Sequence, residues 1–137
     1  MSLFKVFDVA GSAMHAQNVR LNATSSNLAN ADSVSSNTDE TYRAKQPLFA
    51  PMLNEFASEM EAVGVKVTGV VESQAPLRTE YSPGHPMANE EGYISLPNVN
   101  VVEEMANMIS ASRSYQTNIE VMSTAKQMML KTLQMGQ

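Results

Sequence analysis

Along the last third of the chain one apolar position returns every seventh residue, as Val101, Met108, Tyr115, Met122 and Met129. A second, less regular row runs Met105, Ser112, Ile119, Lys126 and Leu133. Together they predict one long helix over about residues 101–133 that carries a coiled-coil seam. The start of the chain repeats the device with Phe7, Met14, Leu21 and Leu28, while Ala10, Gln17 and Thr24 fill the alternate positions. This predicts a helix from Leu3 to about Leu28, ending near Asn27 to Asn30, where asparagine tolerates left-handed backbone. Ala16, Ala23 and Ser26 give that helix a small-residue face suited to close packing against a neighbouring subunit. A sustained heptad buries its seam against another helix, so the two end helices are expected to meet. Periodicity alone leaves open whether they form an ordinary small bundle or part of an assembly.

Between the helices the pattern is shorter and more broken. Asp32 to Glu40 is rich in side chains that bond their own backbone, and reads as a loop. Tyr42 to Phe49 reads as extended because Pro47 excludes a helix interior. Pro51 with Met52, Phe56 and Met60 has the spacing of a short helix with proline in its first turn. Val63, Val65 and Val67 alternate as a strand, Gly69 marks a bulge or bend, and the hairpin partner is expected between Ala75 and Tyr81. Ser82-Pro83-Gly84-His85-Pro86 forces a turn, and Tyr93 to Leu96 is a further extended piece closed by Pro97. Asn100 stands three residues before Glu103, as a capping box requires, and Glu104 adds charge that suits a helix N-terminus. The predicted fold is mainly α: long terminal helices paired as an antiparallel coiled coil, with a small extended or β-hairpin middle. Residues 1–31, 32–97 and 98–137 are its three segments, in one structural unit.

Composition narrows the function classes. With 137 residues, Lys+Arg 9 against Asp+Glu 14 and no basic cluster, the chain lacks the charge for a nonspecific grip on nucleic acid or anionic lipid. Cys 0 removes disulfides, thiolate metal sites and cysteine nucleophiles. No window approaches the ~18 apolar residues of a membrane-spanning helix. The opening Met1-Ser2-Leu3-Phe4-Lys5 lacks the basic start of a secretory signal, so conventional export is not expected. His15 and His85 have no third ligand at metal-like spacing, and helix capping accounts for the Glu103–Glu104 pair. No phosphate loop and no Gly-x-Ser-x-Gly elbow occur. No catalytic residue, cofactor or metal is therefore assigned, and the expected chemistry is assembly.

Three stretches in order carry a family resemblance: Ser26-Asn27-Leu28-Ala29-Asn30-Ala31-Asp32-Ser33, Tyr81-Ser82-Pro83-Gly84-His85-Pro86-Met87-Ala88, and Gly92 through Met105. With Ser112-Arg113-Ser114-Tyr115 and Met128 to Leu133, they make the chain similar to the axial proteins of the bacterial flagellar rod and hook, in particular to those of the proximal rod. The resemblance implies a structural, non-enzymatic subunit of the basal body, exported through the flagellar type III apparatus without a cleaved signal. It implies polymerisation through the terminal helices into the rod that crosses the periplasm around the export channel. The implied partners are other copies of the chain, other rod proteins, the export apparatus and the membrane ring. The residues expected at the assembly interface are Phe7, Met14, Leu21, Asn27, Leu28 and Asn30 in the first helix. In the second they are Val101, Met105, Met108, Tyr115, Ile119, Met122, Met129 and Leu133. The alternatives are another type III-secreted helical protein of needle or translocon kind, and a peptidoglycan-cleaving enzyme. The first should lack the combined Asn-rich and Pro-Gly-His-Pro signatures. The second would need an acidic catalytic residue in a cleft.

Overall fold

Helix-forming residues at both ends and proline-punctuated strands between them give six elements among the described residues. A computed structural model describes residues 3–52 and 63–136. In chain order the elements are α1 (Leu3–Ala29), β1 (Lys45–Pro51), β2 (Val65–Glu72), β3 (Arg78–Tyr81), β4 (Tyr93–Leu96) and α2 (Val101–Met135). The short helix expected through Phe56 and Met60 lies outside the described residues.

The two helices run antiparallel. Asn27 near the end of α1 bonds Glu104 at the start of α2, Arg20 bonds Asn107, and a Cβ placed on Gly11 would stand 4.0 Å from Met122 Cε. Short side chains bring the helices close: Ala10 and Thr24 are buried in α1, and Ala111 and Ala125 in α2. Small side chains let helix axes approach closely, so the pair trades apolar area for proximity.

The small-residue stripe of α1 is not left for a neighbouring subunit. Ser12, Ala16, Ala23 and Asn27 share one face at helical spacing, and the β1–β2 hairpin lies on it. Ser12 Oγ accepts from the Val65 N–H at 3.1 Å, and Asn27 bonds both backbone groups of Lys45. Gly64 is required there, because a Cβ would come within 2.7 Å of Ser12 Oγ. The other flank, with buried Ala10 and Thr24 beside half-buried Phe7, Met14, Leu21 and Leu28, is left for α2. Thus α1 is the middle layer, with α2 on one side and the hairpin on the other.

Strand pairing departs from expectation. β2 pairs antiparallel with β1, the segment around Pro47, while β3 pairs with β4. The region between Ala75 and Tyr81 therefore joins a second small sheet, which Ser35 extends through paired backbone bonds to Ser95 at 3.0 and 2.9 Å. The expected irregularity at Gly69 is real but sits one residue away: Leu48 pairs with Gly69 and Phe49 with Val67, leaving Thr68 as the extra residue.

Pro83 occupies the corner of a turn closed by the His85 N–H donating to Ser82 O, and the Ala88 N–H closes the next turn onto His85 O. Gly92 has φ +82, and a Cβ there would meet the Tyr81 ring at 2.9 Å. Asn100 caps α2 as expected, its Oδ1 accepting from the N–H groups of Val102 and Glu103. The end of α1 differs: among the described residues only glycine has positive φ, so Asn30 is not left-handed. Instead Asn30 Nδ2 donates back to Ser26 O at 2.8 Å. Gly136, with φ −88, likewise stops α2 without left-handed backbone.

Candidate assembly interface

Where α1 ends, one carboxamide gathers the chain. Asn27 is 1% exposed and uses its full capacity. Its Nδ2 donates to Lys45 O and to Glu104 Oε2, both at 3.0 Å. Its Oδ1 accepts from the Lys45 N–H at 2.7 Å and from Tyr42 Oη at 2.9 Å. The Tyr42 proton being committed, Ser26 Oγ is the donor in the 3.0 Å contact between the two hydroxyls. Lys45 Nζ lies 5.7 Å over the Tyr42 ring. Beside this junction Ala31, Ala44 and Val99 form a small apolar core with Tyr42 packed on it.

A second asparagine performs the matching task from the α2 side. Asn98 Oδ1 accepts from the Ala44 N–H at 2.8 Å, and its Nδ2 donates to Ala75 O and Ser73 O. Arg78 Nε donates to Pro97 O at 3.2 Å. The ends of both helices and both sheets are thus tied by hydrogen bonds to backbone, which fix position more sharply than apolar contact does.

The expected interface residues divide into two groups. Phe7, Met14, Leu21 and Leu28 of α1, and Met108, Tyr115, Met122 and Met129 of α2, are half-buried within the chain, and Asn27 is wholly enclosed. Val101, Met105, Ile119 and Leu133 are exposed, Met105 at 53% and Leu133 at 69%; Asn30 is half-buried. The row that completes the intrachain seam with Met108 and Tyr115 is Glu104, Ala111, Asn118 and Ala125, one position before the row that apolarity suggested. Met105 and Ile119 instead join Val102, Ile109 and Leu130 on a flank of α2 turned away from α1. That flank is an apolar stripe without a cover among the described residues, the kind of surface that marks an interaction site.

Glu104, Tyr42, Lys45 and Asn98 were missed as partners of the junction. Glu104 reads as a helix-start acid, and only the antiparallel docking reveals its bond to Asn27. His15 is exposed on α1, and His85 is held in its turn, with Nδ1 accepting from the Met87 N–H at 3.1 Å. Among the described residues no group of three metal-ligating side chains could hold an ion, and no helix is long and apolar enough to cross a membrane.

Comparison with known proteins agrees with the two ends of the fold. The flagella basal body rod protein family matches residues 7–35, and the C-terminal family of flagellar basal body rod FlgEFG proteins matches residues 90–135. The flagellar basal-body rod protein FlgC of Salmonella typhimurium is 55% identical over 137 residues, covering 100% of both chains. That of Escherichia coli O157:H7 is also 55% identical over the full length of both, and that of Yersinia enterocolitica 50%. With such identity from end to end, the chain belongs to the FlgC family of flagellar basal-body rod proteins.

Proposed function

We propose that this structural subunit of the flagellar basal-body rod polymerises through its terminal helices, packing its helix pairs side by side around the export channel. Within each copy α1 and α2 act as an antiparallel coiled coil, and segments 1–31 and 98–137 form the axial part of the rod. Segment 32–97 braces the pair from outside. The chain passes through the type III export apparatus and joins other copies of itself and other rod proteins above the membrane ring. Its role is mechanical, with no catalysis and no cofactor.

The observation that carries this reading is the uncovered stripe of Val102, Met105, Ile109, Ile119 and Leu130 on α2. Half-buried Met108, Tyr115, Met122 and Met129 already face α1, so the second apolar stripe serves another surface. Burying one such side chain contributes roughly 1.5–3 kcal/mol, and several together offset the entropy of ordering an assembly.

The test is rescue of swimming in a flagellated bacterium whose own FlgC gene is deleted. The unaltered chain should restore rods and motility, and Ile109→Glu should not. Normal rods built from Ile109→Glu would remove the stripe from the interface. Release of soluble muropeptides by the purified chain would contradict the purely mechanical role.

A further inference from the structure

Resting on that assembly reading, we infer that the outward stripe of α2 in one copy docks on the β1–β2 hairpin of the next copy, a head-to-tail lateral contact between copies of this chain. The two surfaces lie on opposite sides of α1, so a single copy offers both halves of the contact. Register puts Leu48 and Val71 on one face of the hairpin and Phe49 and Val70 on the other, and all four are exposed. A two-stranded hairpin is marginal by itself, and this one rests on the short side chains Ser12, Ala16 and Ala23, so an apolar cover completes it. The remaining face of α1 is polar, with Asp8, His15, Asn18, Asn22 and Ser25, and does not match the stripe.

Height along the molecule agrees. Lys45 stands beside Asn27 and Glu104, whereas Val65 stands beside Ser12, one residue from Gly11 and its neighbour Met122. The hairpin therefore spans the same stretch of the long axis as α2 does from Glu104 to about Met122, and Leu48 falls near the level of Ile109. Lys66 and Glu120, both exposed, lie near one level with opposite charge. The exposed Tyr81–Tyr93 pair sits with the other sheet, away from the body of α2.

Area supports a large contact. The chain exposes 9593 Å² at a mass of 14.9 kDa, against about 7,000 Å² for a compact monomer of that size. The excess, on the order of 2,500 Å², marks an extended chain that leaves much surface for neighbours. A contact between two different faces repeats from copy to copy, and closes into a ring or continues as a helix.

Because the natural chain has Cys 0, cross-linking has no background. Ile109→Cys and Leu48→Cys chains, co-expressed in the deletion strain and treated with a short bismaleimide, should give mainly the mixed dimer, while either variant alone gives none. Ile109→Cys dimers, or rods without the mixed dimer, would overturn the inference while rescue still upheld the assembly reading. Failure of the unaltered chain to rescue would remove both. Val71→Cys with Met105→Cys repeats the test should either first variant fail to assemble.

Discussion

Asn27 and Glu104, separated by 77 positions in the chain, meet at 3.0 Å where α1 ends and α2 begins. The same carboxamide closes on Lys45 and Tyr42, so one side chain sets the relation of both helices and the first strand.

Asn27→Ala should therefore cost far more than the loss of one contact. It leaves the Lys45 N–H and C=O without partners in an enclosed site, and the Tyr42 hydroxyl with only its contact to Ser26 Oγ. Buried unsatisfied groups cost about 1–3 kcal/mol each, so a total above ~3 kcal/mol is expected in urea unfolding. Asn27→Asp keeps the acceptor but sets a carboxylate against Glu104 and Lys45 O, and should be no better. A loss below ~1 kcal/mol for both would show that the junction is not a keystone.

Gly64, just before β2, and Gly69 within it should respond differently to the same methyl group. At Gly64 an added Cβ meets Ser12 Oγ at 2.7 Å, whereas at Gly69 it meets nothing within 4 Å. Gly64→Ala should lift the hairpin and cost about 1–3 kcal/mol, and Gly69→Ala should stay within about 0.5 kcal/mol. Equal effects would contradict the seating of the hairpin on α1.

Gly92→Ala combines backbone strain at φ +82 with a clash against the Tyr81 ring at 2.9 Å. An expected loss of about 1–3 kcal/mol should come with changed near-ultraviolet dichroism, because the Tyr81–Tyr93 edge contact at 5.2 Å must move. An unchanged tyrosine signal would place the strain elsewhere.

The two faces of α2 should separate stability from assembly. Ala111 is 0% exposed, and Ala111→Leu should destabilise the isolated chain by about 1–3 kcal/mol through overpacking. Ile109 is 54% exposed, and Ile109→Glu should change monomer stability by no more than about 0.5 kcal/mol while abolishing rods. If Ile109→Glu unfolded the monomer instead, the stripe would be part of the chain's own core.

Much of the skeleton was legible in the residues. Heptads and the Asn100 cap marked both helices to within a few positions, because helical periodicity and capping are local. Strand partners were not, since β1 and β2 are brought together by α1 through Ser12 and Asn27, and nothing in Val65, Val67 or Val70 names Pro47 as a neighbour. The second α2 row was misplaced for a different reason. Met105, Ile119 and Leu133 are more apolar than Glu104, Ala111, Asn118 and Ala125, yet the smaller row is the one against α1. In an assembling helix the larger apolar residues can belong to the outside, and hydrophobicity alone does not tell the two faces apart.

Alanines and flexible methionines make up much of the contact between α1 and α2, and such apolar surfaces by themselves set the lengthwise register of the two helices only loosely. Asn27 supplies a stop. A slip by one helical turn would carry Glu104 about 5.4 Å from its donor and leave one Asn27 amide hydrogen without its acceptor. Resistance of the helix pair to axial shear thus rests on two polar bonds between the helices, Asn27 to Glu104 and Arg20 to Asn107, rather than on apolar contact.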